Sequence, residues 1–322
     1  MKRFVALILS LMFLTLALVG CKKAEDAPEK EKIRIAGMKG PTSIGLVGVM
    51  EDNNGDYEFS LEATADTIVP KLVKGELDMA TVPANLASTL YNNTEGEIQI
   101  VAVNTLGVLY IVSKGEEIST VADLKGKTII ATGKGTTPEY TLKYILSQNG
   151  LTPDKDVFLD FKSEATEVVA ALAKSENGVA MLPQPYVTVA QSKVSGLNVA
   201  LDLNEEWKKV SPDSAIVTGV LVVRKSFAEK NGEIIKDFLS KYKASVEKVN
   251  SNPAEASQLV VKHGIFDNAT VIEKAIPKCN ITFISGEEMK SPVNKYLGVL
   301  YEQNAKSVGG KLPEENFFCI LN

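Results

Sequence analysis

The sequence predicts an α/β protein built as two lobes that face each other across a cleft and are joined by two crossing strands. Three observations carry that expectation. Short apolar segments alternate with segments of helical spacing, the pattern of a largely parallel sheet covered on both faces. One strand–loop–helix unit occurs twice: Ala36-Gly37-Met38-Lys39-Gly40-Pro41-Thr42 is echoed by Ala131-Thr132-Gly133-Lys134-Gly135-Thr136-Thr137, and Leu72 to Ala80 followed by Pro83 is echoed by Leu172 to Ala180 followed by Pro183. The chain beyond residue 32 holds about 300 residues, more than one hydrophobic core normally organises.

The chain opens with Met1-Lys2-Arg3 and the apolar run Phe4 to Val19, which together read as a signal peptide over residues 1–20. Its end, Leu18-Val19-Gly20-Cys21, resembles the lipobox of bacterial lipoproteins, which implies cleavage before Cys21 and an acyl (palmitate) anchor on its thiol. Residues 21–32 are nearly all Lys, Glu, Asp, Ala and Pro and predict a flexible tether. Loss of Lys2 and Arg3 with the signal takes the formal charge from −5 to −7, and no basic run interleaved with aromatics remains, which argues against nucleic acid.

The first lobe is expected over 33–106 and 220–322, the second over 107–219. In the first, Ile33 to Gly37 alternates as a strand and Ile44 to Glu51 reads as a helix. Phe59 to Ala63 is a strand, Asp66 to Val73 a helix capped by Asp66, Leu77 to Thr81 a strand, Pro83 to Tyr91 a helix, and Ile98 to Asn104 a strand. Leu106 to Ser113 is one long apolar strand and the expected first crossing. In the second lobe Thr128 to Ala131, Val157 to Phe161, Val179 to Leu182 and Leu197 to Leu201 read as strands, and Pro138 to Gln148, Ala165 to Ala173 and the stretch to Lys193 as helices. Ala215 to Val223 is the expected return crossing; helices are expected at Ser226 to Asn250, Pro253 to Lys262, Ile272 to Ile276 and Met289 to Gln303.

In such sheets ligands gather at the carboxyl ends of the strands. Two opposed strand-to-helix loops then offer backbone donors, Thr42, Ser43, Thr136 and Thr137 add hydroxyls, and the positive ends of two helices favour an acceptor-rich or anionic group. Lys39 and Lys134 hold matching positions and either add charge to the cleft or are solvated loop lysines. Asn85 and Tyr186 either hydrogen-bond and stack on a planar ring or are a helix cap and a surface tyrosine. Asn104 and Thr105 lie at the crossing and reach inward or satisfy turn backbone. Trp207, the single tryptophan, is a packing anchor or a cleft wall.

With Cys21 lipidated, Cys279 and Cys319 remain as either a disulfide or two buried thiols, the bridge being slightly favoured outside the cytoplasm. There is no Cys/His cluster, so neither a metal nor another cofactor is expected.

The lipobox and tether, Met38 to Ser43, Lys74 to Ala80, and Ala122-Asp123-Leu124-Lys125-Gly126-Lys127 together resemble a substrate-binding lipoprotein of an ABC importer. More narrowly, they resemble the nitrate/sulfonate/taurine and thiamine-pyrimidine-precursor binding group, with the type II periplasmic-binding-protein fold. The resemblance implies a monomeric Venus flytrap, lipid-anchored on the extracytoplasmic face of the cell membrane. It would close on a small polar or anionic molecule, heteroaromatic in some relatives, and deliver it to an ABC permease. It also implies ligand contacts at Gly40, Pro41, Thr42 and Ser43, at Val82, Pro83 and Asn85, at Gly135, Thr136 and Thr137, and at Gln184 and Tyr186. Gln184 departs from the acidic residue that relatives often carry there, which places an amine-bearing ligand in doubt.

The rival reading is an enzyme on the same fold acting on a pyrimidine or related small molecule. Its single histidine, His263, is distant in sequence from every cleft loop, and Cys279 is the nearest thiol, with nothing to activate it. A structural or surface role for His263 is expected, and the chain is read as a binding protein. A surface scaffold would account for the anchor but not for the paired loops.

Overall fold

The computed structural model describes residues 32–321; the expected signal peptide, Cys21 and all of the expected tether but Lys32 lie outside the described residues. The first strand, β1 (Ile33–Met38), is buried along most of its length and runs into α1 (Pro41–Ile44) and α2 (Val47–Glu51). The sequence predicts one helix over Ile44 to Glu51. Instead two short pieces form, with Gly45 and Leu46 between them, where Gly45 and Gly48 let the long helix Lys225–Ser251 approach closely. The chain continues through β2 (Tyr57–Glu62), α3 (Ala65–Val73), β3 (Met79–Pro83) and α4 (Ala84–Asn93). Asp66 stands in the first turn of α3 rather than at its cap, which is Thr64.

Then come β4 (Ile98–Leu106) and β5 (Leu109–Lys114). The expected single strand Leu106 to Ser113 is thus divided at Gly107 and Val108. The two parts join different sheets. Next are β6 (Thr128–Ala131), α5 (Thr137–Gln148), β7 (Phe158–Phe161), α6 (Ala165–Lys174), β8 (Gly178–Pro183), α7 (Tyr186–Lys193) and β9 (Leu197–Asp202). A helix that the sequence reading missed, α8 (Leu203–Val210), follows, with Asp202 Oδ1 accepting from the Asn204 amide at 2.8 Å as its cap. The remainder is β10 (Val217–Arg224), α9 (Lys225–Ser251, kinked at Asn231), α10 (Pro253–Lys262), α11 (Ala269–Ala275), a second unforeseen element β11 (Ile281–Ser285), and α12 (Lys290–Gln303).

The first sheet is ordered β11-β4-β10-β3-β1-β2 and the second β7-β6-β8-β5-β9. Their centres match. β1 lies between parallel β2 and β3, as β6 lies between parallel β7 and β8. The next place is taken by an antiparallel strand in each, β10 on β3 and β5 on β8. The sequence repeat is the trace of this shared unit. Gly107 marks the passage between sheets: its carbonyl accepts from Asn204 Nδ2 at 2.7 Å and Asn280 Nδ2 at 2.6 Å, and a Cβ there would stand 1.8 Å from Asn204 Oδ1.

One apolar cluster runs through both sheets, joining Ile100, Val103 and Val220 to Leu109, Ile129 and Met181, with Trp207 and Tyr296 within it. A second lies between the first sheet and α9, and a third between the second sheet and α6 and α7. At the far end of the first sheet Asp78, 2% exposed, takes Arg34 Nη2 at 2.7 Å and Arg224 Nη2 at 2.8 Å on one oxygen. Burial works against the charged carboxylate, but the two guanidiniums outweigh it and hold the carboxyl below its usual range.

The expected disulfide is not formed: Cys279 and Cys319 are free thiols. The cause is their place along β4. Cys279 precedes Ile281, which faces Thr105, whereas Cys319 follows Phe318, which faces Ile100. Five residues of strand separate those positions by roughly 16 Å, well past what a disulfide spans. Among the described residues no helix is long and apolar enough to cross a membrane.

Candidate functional site

The two sheets present their strand-to-helix junctions toward each other. Where β3 enters α4 stands Asn85, and where β6 leads to α5 stands Thr137; Thr137 Oγ1 donates to Asn85 Oδ1 at 2.9 Å, both side chains being buried. Asn85 Nδ2 donates in turn to the Ser307 carbonyl at 3.1 Å, so the C-terminal segment fixes the amide. One turn along α5, Thr141 and the Tyr296 hydroxyl of α12 are 2.8 Å apart. Burial pushes the Tyr296 phenol up, while its contacts with Thr141 and Thr137 work the other way. Trp207 packs between Tyr144, ring centroids 4.7 Å away, and Tyr296 at 5.4 Å. It is the packing anchor of this seam, and it also borders a cavity of about 340 Å³ beside the crossing. Thr141 could have been found from sequence, being four residues beyond Thr137 on one helical face. Tyr296 could not, because nothing local ties the last helix to the second sheet.

Several donors of the loop at 39–43 are bonded within the protein. Lys39 N–H donates to the Glu62 carbonyl at 2.8 Å and Ser43 N–H to the Gly40 carbonyl at 3.2 Å. The hydroxyls of Ser43 and Thr42 both reach the Met38 carbonyl, at 2.7 and 3.3 Å. Since α1 is a single turn, its dipole is small, and the strong helix start expected at Gly40 to Ser43 is absent. Pro41 opens that turn half-buried, and Gly40 is held at φ 125°.

The second loop is also spent. Gly135 N–H donates to Glu139 Oε2 at 2.6 Å, and Glu139 Oε1 pairs with Lys143 at 2.7 Å. The carboxylate of α5 itself therefore occupies the helix start where an external anion was expected. Thr136 Oγ1 donates to the Gly133 carbonyl at 2.7 Å. Lys39, Lys134 and Gly135 are exposed.

Asn104 and Thr105 are consecutive strand residues, so their side chains leave opposite faces of β4. Asn104 Nδ2 donates to the Thr42 carbonyl at 3.3 Å, and a Cβ at Gly219 would come within 2.6 Å of both Asn104 Oδ1 and Thr42 Cγ2. Val82 belongs to the apolar cluster and Pro83 is half-buried at the strand end. Gln184, 1% exposed, donates its N–H to the Val108 carbonyl at 2.9 Å, which ties the β8 loop to the crossing. Tyr186 stacks edge-on against Phe266, centroids 5.7 Å apart. Burial pushes its phenol up.

His263 lies away from these loops. Its Nε2 is 3.0 Å from Glu51 Oε2, and Lys262 Nζ is 2.6 Å from the same carboxylate, which hydrogen bonds from both residues hold below its ordinary range. The Cys279 thiol is pushed up to about 12 by burial, far from nucleophilic readiness.

Comparison with known proteins gives a consistent picture. The family described as NMT1/THI5 like matches residues 61–256. A Brucella abortus (strain 2308) protein, provisionally named a binding protein, is 26% identical over 228 residues, 71% of this chain and 68% of that one. Among solved structures, an ABC transporter from Parabacteroides distasonis superposes with a TM-score of 0.77 at 26% identity, covering 89% of this chain and 98% of the other. The periplasmic aliphatic sulphonate binding protein SsuA of Escherichia coli has a TM-score of 0.70 at 19% identity, with 89% and 95% covered.

Proposed function

Because the chain belongs to the NMT1/THI5-like family, we propose that it is a solute-binding protein of the ABC-import type, holding a small polar molecule between its two sheets for a membrane permease. The observation that carries this reading is the junction at Asn85 and Thr137. Two copies of one α/β unit, on separate sheets, turn the carboxyl ends of their strands on each other and meet through a buried hydrogen bond of 2.9 Å. The sheets are connected at Gly107–Val108 and again between β9 and β10, the geometry from which clamp closure arises. In this reading 33–106 and 220–322 form one lobe and 107–219 the other. The family, the Parabacteroides ABC transporter and the sulphonate-binding SsuA fold all support it.

The start of the sequence supports placement outside the cytoplasm, with Cys21 as a lipid anchor and residues 22–32 as reach. The contacts proposed for ligand are Thr42, Thr105 and Gln184, with Tyr186 at the rim. The relative SsuA is named for sulphonate, but the helix start that an oxyanion would use on α5 already holds Glu139. The two arginines beyond residue 20, Arg34 and Arg224, both bind Asp78 at the opposite end of the sheet. The site is thus made of amides and hydroxyls rather than fixed positive charge, which suits a polar ligand of low charge.

The test is direct. The purified protein is denatured, and the small molecules it releases are identified by mass spectrometry. Each is then added back while the melting temperature is followed. Binding to the native state alone raises the melting temperature in proportion to the logarithm of concentration. Turnover of the added molecule would replace this reading with the enzymatic one, and no released molecule together with no shift would remove it.

A further inference from the structure

The cavity of about 340 Å³ beside the crossing is lined by none of the residues proposed for the cleft. Its walls come from both passages between the sheets, Leu106 on one and Ile216 on the other, and from the start of α8 and the turn ahead of β11. That volume lies at the small end of what small-molecule sites occupy.

Three of the lining residues bring oxygens together. The Tyr110 hydroxyl donates to the Lys278 carbonyl at 3.3 Å. The same phenol is pushed up by burial and, after that, by the Asp202 carboxylate beside it. Asp202 is half-buried, and its Oδ1 accepts from the Asn204 amide at 2.8 Å. Among the described residues no lysine, arginine or histidine pairs with it; Lys208 of the same helix is held instead by Glu205 at 2.8 Å. Burial, which leads the influences on Asp202, pushes its carboxyl up from the ordinary aspartate value. A carboxylate so placed gains from any cation that reaches it.

Lys278 supplies the opposite charge. It lines the same cavity, is exposed, and makes no ion pair among the described residues. Since Glu205 and Lys208 neutralise each other, the wall is left with one negative group, Asp202, and one positive group, Lys278. A simple anion entering the cavity would meet Asp202 uncompensated, and a simple cation would meet Lys278. A molecule carrying both charges satisfies both, and Leu106, Ile216 and Pro277 offer its remainder an apolar surface.

We propose that this cavity is a second ligand site, separate from the cleft, and that it takes a small aliphatic α-amino acid. The ammonium of the ligand bonds Asp202, with the Tyr110 and Lys278 oxygens as further acceptors, and its carboxylate pairs with the Lys278 ammonium.

The experiment uses the purified protein and three probes of matched shape. Leucine carries both charges, leucinamide the ammonium alone, and isocaproate the carboxylate alone. Each is titrated up to about 10 mM while melting temperature and Trp207 emission are followed, Trp207 being the single tryptophan and one wall of the cavity. Leucine should raise the melting temperature and change the emission, leucinamide should do so more weakly, and isocaproate should do neither. Asp202→Asn keeps a side chain that caps α8, so the fold stands, and it should weaken leucine binding by roughly 10- to 100-fold. Lys278→Met should bring leucine down to the level of leucinamide. Far-ultraviolet circular dichroism establishes that each variant is folded, and the exposed Lys278 keeps the test decisive if Asp202→Asn is not. A leucine response that both variants retain, a leucinamide response equal to that of leucine, or no wild-type response to any probe overturns the proposal. The cleft reading stands in each of those cases, because none of its residues is changed.

Discussion

Replacing Thr137 by Val removes one hydroxyl and keeps the shape of the side chain, so it isolates the bond that joins the two sheets. In the wild type Thr137 Oγ1 donates to Asn85 Oδ1 at 2.9 Å, and the residues are 1% and 5% exposed. The variant leaves the Asn85 oxygen buried with no donor, which costs about 1–3 kcal/mol. Asn85 stands on an element of the first sheet and Thr137 on one of the second, so the loss falls on the contact between them. A change of that size shifts the ratio of packed to separated arrangements by roughly 5- to 150-fold. Trp207 gives the readout, being the single tryptophan and wedged between Tyr144 and Tyr296 on this seam. Thr137→Val should move its emission to longer wavelength, and small-angle scattering should give a larger radius of gyration. Asn85→Ala removes the same bond from the other side together with the link to Ser307, so the double variant should lose little beyond Asn85→Ala alone. If emission, scattering and urea midpoint of Thr137→Val all match the wild type, the bond does not hold the sheets together and the reasoning fails.

Three other outcomes are expected. Asp78→Asn should lose about 3 kcal/mol or more at pH 7, because Arg34 and Arg224 are left facing a neutral group. The folded carboxyl lies below its unfolded value, so the wild-type advantage is complete above about pH 4 and fades as pH falls through the folded value; urea midpoints at pH 7 and about pH 3 should show the gap closing, and a gap that widens in acid refutes the assignment. Glu139→Ala should cost about 1 kcal/mol and leave the Gly135 N–H without its carboxylate, so that sulfate raises its melting temperature more than the wild type's; equal sulfate responses would show that Glu139 is not occupying an anion position. Peptide mapping after alkylation should find Cys279 and Cys319 unbridged, with Cys279 modified only on unfolding, since burial holds its thiol at about 12; a Cys279–Cys319 crosslinked peptide would contradict the strand register.

Much of this architecture is legible because it is local. The alternation of Ile33 to Gly37 and the helical spacing of Phe238, Tyr242 and Val246 are set by which face each residue buries, and they appear as expected. The repeat was readable for the same reason, since equal units need equal punctuation at Gly75 and Pro83 or Pro183. What escaped was decided at long range. β11 is an edge strand paired to β4 far off in sequence; its β-branched and aromatic run Ile281 to Ile284 is a local strand signal, but its partner is not. Gly107 ends one strand and starts another because Asn204 and Asn280, far off in sequence, bind its carbonyl. In the candidate site the structure places Asn85 and Thr137 in contact, but several donors of the loops are bonded within the protein. Glu139 and the Met38 carbonyl consume groups that sequence alone would leave for a ligand.

That accounting separates two properties of the proposed clamp. The seam is largely apolar, with Leu142, Ile145, Trp207, Tyr296 and Leu297 all fully buried in one cluster, so its contribution to closure is non-directional and indifferent to what is held. Its hydrogen bonds, Asn85 with Thr137 and Thr141 with Tyr296, join protein to protein and likewise say nothing about cargo. On the proposed reading, discrimination falls to buried polar groups without a partner among the described residues, such as Gln184 Nε2, Asn104 Oδ1 and the hydroxyls of Thr105 and Thr218. Changes on the seam should therefore raise or lower affinity for every ligand by a common factor, because they act on the balance between closed and open forms. Changes at such unpaired groups should reorder ligands while leaving that balance alone. A seam variant such as Thr137→Val that altered the ranking of ligands would show that closure and recognition share the same atoms, and the division drawn here would not hold.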